Sequence, residues 1–304
     1  MTDLAPAFWD RLRDLPLTHA SLIGWITSGY LAVGIVAFAA WRITGDIAWV
    51  VEFFQLPAAL VIVWLGLMEV WLSIYAMSRF SPGDLLRPGW MLIAGSAGFQ
   101  LLGSLYSQVF GVPSRLNPLR LEGDAVTLAR SIGLLMGGPF RFALLAAGLS
   151  FALRAYRRAG LPARLAPIDW VILAGFGAYL ARNVMDVVSA MRAGKSPDIW
   201  EVFGWPTDLL LWLLLAEALL LLRCTQQMAA GHIARCWKAY AAGVFLTALG
   251  DVGMWAANYG YLPWPWNSLT WYLWIPAAAA FARAPAFQLE VIREAATGRQ
   301  GYGA

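Results

Sequence analysis

Asp251 stands inside an apolar stretch, KAYAAGVFLTALGDVGMWAANYG from Lys238 to Gly260, more than a helical turn from either end. A carboxylate at that depth of a bilayer is costly, and such groups are usually paired, turned into the bundle and functional. Arg182 and Asp186 lie four residues apart in another apolar stretch, so they share one helical face. Arg182 and Asp251 reach nearly equal depth in their segments, and Asn183, Asp208, Trp255 and Asn258 fall in the same layer. Arg182, Asn183, Asp186, Asp208, Asp251, Trp255 and Asn258 are therefore the candidate ligand-binding residues. The competing reading is an Arg182–Asp186–Asp251 triad that only fixes helix packing, because structural networks perturb charges as binding sites do. Glu69 and Arg141, in two further apolar stretches, are expected to form a structural charge pair. A proton or ion path along Glu69 and Glu217 is the sharper alternative.

Other chemistries fit the sequence poorly. An embedded haem needs axial ligands, usually histidines, and His19 and His232 both fall at segment boundaries. A retinal Schiff base needs a buried lysine, whereas Lys195 and Lys238 are at segment ends. Cys224 and Cys236 flank a short basic loop without metal-ligand spacing and read as free structural thiols. Phosphate-loop, zinc-hydrolase and nucleophile-elbow motifs are missing, so the residues point to no particular cofactor and to no metal.

Leu249-Gly250-Asp251 on one segment and Pro276-Ala277 on the next resemble the pattern of presenilin-type intramembrane aspartyl proteases. That family combines a GxGD motif, a second membrane aspartate and a downstream PAL motif. The resemblance implies that Asp251 and Asp186 would share a proton in aspartyl chemistry. The chain departs from the pattern in having Ala248 for the first glycine and Ala278 for the leucine of PAL. Asp186 also lies two segments before Asp251 rather than one, and Arg182 beside it would hold both carboxylates ionised.

The elements that carry these residues are membrane helices. Of 304 residues, 60% are hydrophobic and only 13% charged, about half the charged share of a soluble domain. The mean hydropathy is +0.61. Seventeen tryptophans agree with this, since Trp gathers at membrane interfaces. The Trp- and Pro-rich run 260–274 reads as an interfacial loop and anchor. The net charge of +4 is spread over loops and excludes a nucleic-acid surface. A span needs about 20 mostly apolar residues, which gives eight: 20–41, 49–77, 90–111, 130–153, 168–190, 206–222, 238–258 and 267–286. Ala37-Phe38-Ala39 has the form of a signal cleavage site, but the apolar run before it is too long for a signal peptide.

Arg and Lys set the orientation. Arg11, Arg13, Arg79, Arg87, Arg154, Arg157, Arg158, Arg164, Arg223, Arg235, Lys238, Arg283, Arg293 and Arg299 fall on one side. Arg42, Arg115, Arg120, Arg130, Arg192 and Lys195 fall on the other. Both termini are thus expected in the cytoplasm, in a bacterial-type inner (plasma) membrane.

The chain also reads as one unit written twice. Pro57, Trp64, Glu69, Trp90 and Gly103 are spaced by 7, 5, 21 and 13 residues; Pro206, Trp212, Glu217, Trp237 and Gly250 by 6, 5, 20 and 13. Pro139 and Pro276 follow in the fourth helix of each half. Ser104 stands where the second copy has Asp251. The expected fold is all-α and polytopic: a lead-in at 1–18, two parallel four-helix repeats at 19–158 and 159–286, and a cytoplasmic tail at 287–304. An even helix number per repeat puts the pseudo-two-fold axis along the membrane normal.

The function these features favour is non-catalytic: a membrane-embedded sensing or binding module, or an accessory subunit of a larger membrane complex. Its expected partners are the lipid bilayer, other membrane or cytoplasmic proteins, and a small apolar or amphipathic ligand. A secondary transporter is the alternative; against it, no segment has a strong central break flanked by polar backbone.

Overall fold

The structure, a computed structural model, describes residues 18–110, 115–119, 121–194, 199–226 and 232–300, without the side chains of 199–203, His232, Asn258 and 295–300. Most of the lead-in, Arg120, Lys195 and the last residues of the tail therefore lie outside the described residues. The described chain is helical throughout and has no strand.

Each expected span falls on one long helix. These are α1 (His19–Thr44), α2 (Ala48–Ser78), α3 (Leu86–Ser104, prolonged by a π-helical turn Leu105–Val109) and α4 (Asp124–Arg158). They continue with α5 (Pro167–Arg192), α6 (Ile199–Gln226), α7 (His232–Asn258) and α8 (Trp271–Gln300). Five of them, α1, α2, α4, α5 and α7, are long and apolar enough to cross a membrane. A 3-10 turn, Trp266–Thr270, leads into α8, and α8 runs on into the expected tail without a break at residue 287.

Local signals explain the ends. Thr18 caps α1 by accepting a hydrogen bond from the Ser21 N–H at 3.2 Å, and Gly45 ends it with φ +72°. Pro167 opens α5, where its missing N–H removes nothing, and Asp169 reaches back to accept from the Ala166 N–H at 2.7 Å. Trp25, Ile35, Val36 and Val171 are exposed. A shell of exposed apolar side chains over a packed interior is what lipid contact requires.

Six helices close into a ring in the order α2, α3, α4, α6, α7, α8 and back to α2. Helix α1 packs on α8 and the start of α2, and α5 leans on α6 alone among its main contacts. One end of the ring is plugged by aromatics. Trp90 of α3 and Trp237 of α7 meet across it at 6.4 Å between ring centroids, Tyr240 packs beside both, and Trp237 donates to the Tyr156 hydroxyl at 3.2 Å. Trp90, Trp237 and Tyr240 are at most 1% exposed.

Small residues set the closest helix approaches. A Cβ on Gly103 of α3 would meet the Gly137 backbone of α4 at 2.6 Å, and one on Gly250 of α7 would meet Trp274 of α8 at 2.2 Å. A side chain at Gly103 would push the two backbones apart, and one at Gly250 would displace the Trp274 ring. Gly103→Ala should thus destabilise the protein in detergent by about 1–3 kcal/mol. Gly98→Ala on the same helix, where a Cβ meets nothing within 4 Å, should leave the unfolding midpoint unchanged or raised.

Candidate functional site

The fourth helix breaks where the polar residues gather. Met136–Phe140 of α4 forms a π-helical turn around Pro139, and Gly138 has φ −101° and ψ −105°, outside helical geometry. This corrects the expectation that no segment has a central break. Pro139 removes an N–H donor and crowds the preceding turn, and the glycines before it accept the distortion. Such π turns mark functional sites more often than ordinary helix does. The break brings α4 close to α6: a Cβ on Gly138 would lie 3.1 Å from the Thr207 hydroxyl.

Arg141 follows the break and turns into the ring. It is 6% exposed, and its guanidinium lies over the rings of Phe281 at 4.5 Å and Phe142 at 5.2 Å. A guanidinium has five N–H donors. Among the described residues none of them finds an acceptor, and Nε is fully enclosed. The charges of Glu69 and Asp251 act on Arg141, as does the Tyr240 hydroxyl.

The expected partner Glu69 is 2% exposed, with Oε1 enclosed and unpartnered. Glu69 and Arg141 thus face each other electrostatically, but without an ion pair at 4.0 Å or closer. The Tyr240 hydroxyl and Ser73 Oγ lie together nearby, short of hydrogen-bond geometry. Glu217, the repeat counterpart of Glu69, pairs with the Ser150 hydroxyl through Oε1, while Oε2 is enclosed and unpartnered.

On the far side of Arg141 is a polar layer built by α5 to α8. Trp274 donates its indole N–H to Asp251 Oδ1 at 3.3 Å. The Tyr179 hydroxyl donates to the Asp251 backbone carbonyl at 3.5 Å, and Asn183 donates to Asp208 Oδ2 at 2.8 Å. The carboxylate whose charge acts on Asp251 is Asp208, on the neighbouring helix. Neither aspartate has a cation within 4.0 Å among the described residues. A shallow cleft lined by Phe176, Tyr179, Asp208, Trp212 and Ala248 opens onto this layer and has room for little more than a water molecule. Trp255 packs edge-on against Tyr179 of that lining, with its indole N–H enclosed and unpartnered.

The sequence-predicted set therefore divides. Asp208, Asp251, Asn183 and Trp255 come together, with Tyr179 and Trp274 as further members. Arg182 does not reach Asp251. It holds Asp186 at 3.0 Å on α5, where the Tyr259 hydroxyl also donates to Asp186 at 2.8 Å. The Asn258 side chain lies outside the described residues. The aspartate neighbouring Asp251 is thus Asp208, not the Asp186 that the protease resemblance assigned. Tyr179 was legible from spacing, since 179, 183 and 186 follow the i, i+4, i+7 rule of one helix face. Trp274 and Thr207 gave no such signal. An ion pair outside the site, the buried Asp169 with the partly exposed Arg223 at 2.7 Å, ties the base of α5 to α6.

No family model, curated protein or solved structure matches the chain.

Replacing Asn183 with Leu removes a donor from a largely buried carboxyl and should destabilise the protein by about 1–3 kcal/mol. The double variant Asn183→Leu with Asp208→Leu should recover most of that loss, because no polar group is then stranded. Unfolding of the three proteins in one detergent measures both.

Proposed function

We propose that this chain is a non-catalytic integral membrane module that binds a small amphoteric solute inside its helix ring. The solute sits beside the α4 break, with a carboxylate or carbonyl oxygen on Arg141 and hydroxyl or amine donors on Asp251 and Asp208. The observation that carries this reading is the Arg141 guanidinium, buried between two aromatic rings without any acceptor from the protein. Buried donors are satisfied almost without exception, and a buried charge without partners is the costliest case. Intramembrane charges of this kind accompany substrate and ion pathways.

The chain crosses the inner membrane eight times in this reading, with both termini in the cytoplasm. It is built from the repeats 19–158 and 159–286. Three contacts support the duplication. Trp90 and Trp237, equivalent in the two copies, meet across the ring. Gly103 touches position 137, and its counterpart Gly250 touches position 274. Positions 137 and 274 each lie two residues before the matched prolines Pro139 and Pro276. The second copy carries Asp208 and Asp251, and the first, with Ser104 in place of Asp251, supplies Arg141 and the break.

The aromatic plug at one end favours a binding or sensing module over a conduit. A second reading, a secondary transporter, is favoured by the break itself, since transporter sites are built at interrupted helices between repeats.

Native mass spectrometry of protein taken directly from its membranes tests the proposal. The wild type should carry a bound small molecule of defined mass. Arg141→Gln should lose it, with affinity weakened by about 30- to 160-fold for one charge-assisted contact worth about 2–3 kcal/mol. Retention of the same molecule by Arg141→Gln would refute the site. Uptake of that molecule by liposomes holding the purified protein would replace the module with the transporter.

A further inference from the structure

The carboxyl of Glu69 is the buried group that the solute site leaves unused. Its Oε1 is enclosed and has no partner. One turn on, at i+4 on the same face of α2, Ser73 is fully buried with its Oγ also unpartnered. The Tyr240 hydroxyl of α7 faces both groups and is enclosed and unpartnered as well. Three buried polar side chains from two helices thus gather beside Arg141 and the aromatic plug.

Few charged or titratable groups surround Glu69. Across the ring, α4 turns Arg141 towards it and α7 turns the Tyr240 hydroxyl. Of the helices packed on α2, α3 carries only Arg87 and Tyr106, near its two ends. From α8, Arg283 lies over Phe287 and against Gly24 of α1, and Glu290 follows two turns later. Tyr272 of α8 and Tyr30 of α1 donate to the backbone carbonyls of Leu31 and Phe54, and His19 packs edge-on against Trp71. On α2 itself, Glu52 accepts from the Arg115 N–H at the start, and Tyr75 accepts from Arg79 at the end. Among the described residues, Arg141 is therefore the one cation that acts on Glu69.

A hydroxyl serves either form of a carboxyl, since it donates to the ionised form and accepts from the protonated one. Arg141 favours the ionised form alone. Once a guest carboxylate occupies the guanidinium, an ionised Glu69 becomes a buried charge without a counter-ion, which is the costliest state for such a group. Taking up a proton removes that charge.

We propose that Glu69 is a proton-binding site coupled to the solute site, so that a carboxylate settles on Arg141 together with one proton on Glu69. The guest replaces Glu69 as the counter-ion of Arg141, and the proton comes from solution. Neutral Glu69 then donates its O–H to the hydroxyls of Ser73 and Tyr240. The total charge inside the ring is the same before and after. The site thereby takes a carboxylate plus a proton, not an anion alone. This inference rests on the solute reading above.

Acetate, a minimal carboxylate, is the probe, added to purified and dialysed protein in lipid nanodiscs. Binding is read from the NMR line broadening of isotope-labelled acetate between about pH 6 and 8, where acetate itself stays ionised. One proton per acetate makes the affinity of the wild type fall about tenfold for each unit of rising pH. Glu69→Gln, which makes the neutral form permanent, should bind acetate at least as tightly as the wild type at the low end, with no dependence on pH. Glu217→Gln should keep the wild-type slope. Acetate binding with equal slopes in wild type and Glu69→Gln, or a slope lost in Glu217→Gln, would overturn the coupling and leave the solute site standing. Failure of the wild type to bind acetate at any pH, or unchanged binding by Arg141→Gln, would remove the solute site and the coupling together.

Discussion

A guanidinium in an apolar interior must have acceptors, and the account of this protein depends on that constraint at Arg141. In water its five N–H groups are satisfied by solvent. Inside the ring they face aromatic rings and two carboxylates beyond 4.0 Å. The missing acceptors amount to several hydrogen bonds, each worth about 1.5–3 kcal/mol to a charged group. No packing of Leu and Phe around the charge offsets a deficit of that size. In the proposed function, a guest that carries oxygen supplies those acceptors.

The rest of the architecture follows from holding that charge in place. The break at Gly138 and Pro139 re-aims α4, so that Arg141 turns inward and Thr207 can approach the backbone. Gly103 and Gly250 let the helices of each half close tightly enough to shut lipid out. The plug of Trp90, Trp237 and Tyr240 closes one end. Asp251 and Asp208 lie beyond Arg141, each held by a neutral donor, Trp274 and Asn183, rather than by a cation. In the proposed function that arrangement keeps Arg141 free for a guest, where a direct Glu69 pair would have consumed it.

Much of this was legible in the sequence because membrane helices obey simple rules. The apolar runs placed every long helix, since a span must satisfy its backbone internally and cannot be interrupted for long. The depth of Asp251 pointed to Asn183 and Asp208, which the fold brings near it. What the sequence hid was lateral. Arg182 and Asp251 share a depth, but depth says nothing about which side of a helix faces inward, and Arg182 turns out to face away. Asp208 was seen as a neighbour of the layer, yet its place beside Asp251 depends on the rotation of α6. The break in α4 was hidden for another reason. Proline and glycine pairs are tolerated in many membrane helices, and Pro276 in α8 interrupts nothing comparable. The non-helical Gly138 and its crowding against Thr207 distinguish the two.

The central claim is that a guest other than protein satisfies Arg141, and high-resolution electron cryomicroscopy of the protein in lipid nanodiscs addresses it directly. The account predicts non-protein density larger than a water molecule, within hydrogen-bond distance of Arg141 and reaching Asp251. A guanidinium bonded directly to the Glu69 carboxylate, with no such density beside it, would contradict the account.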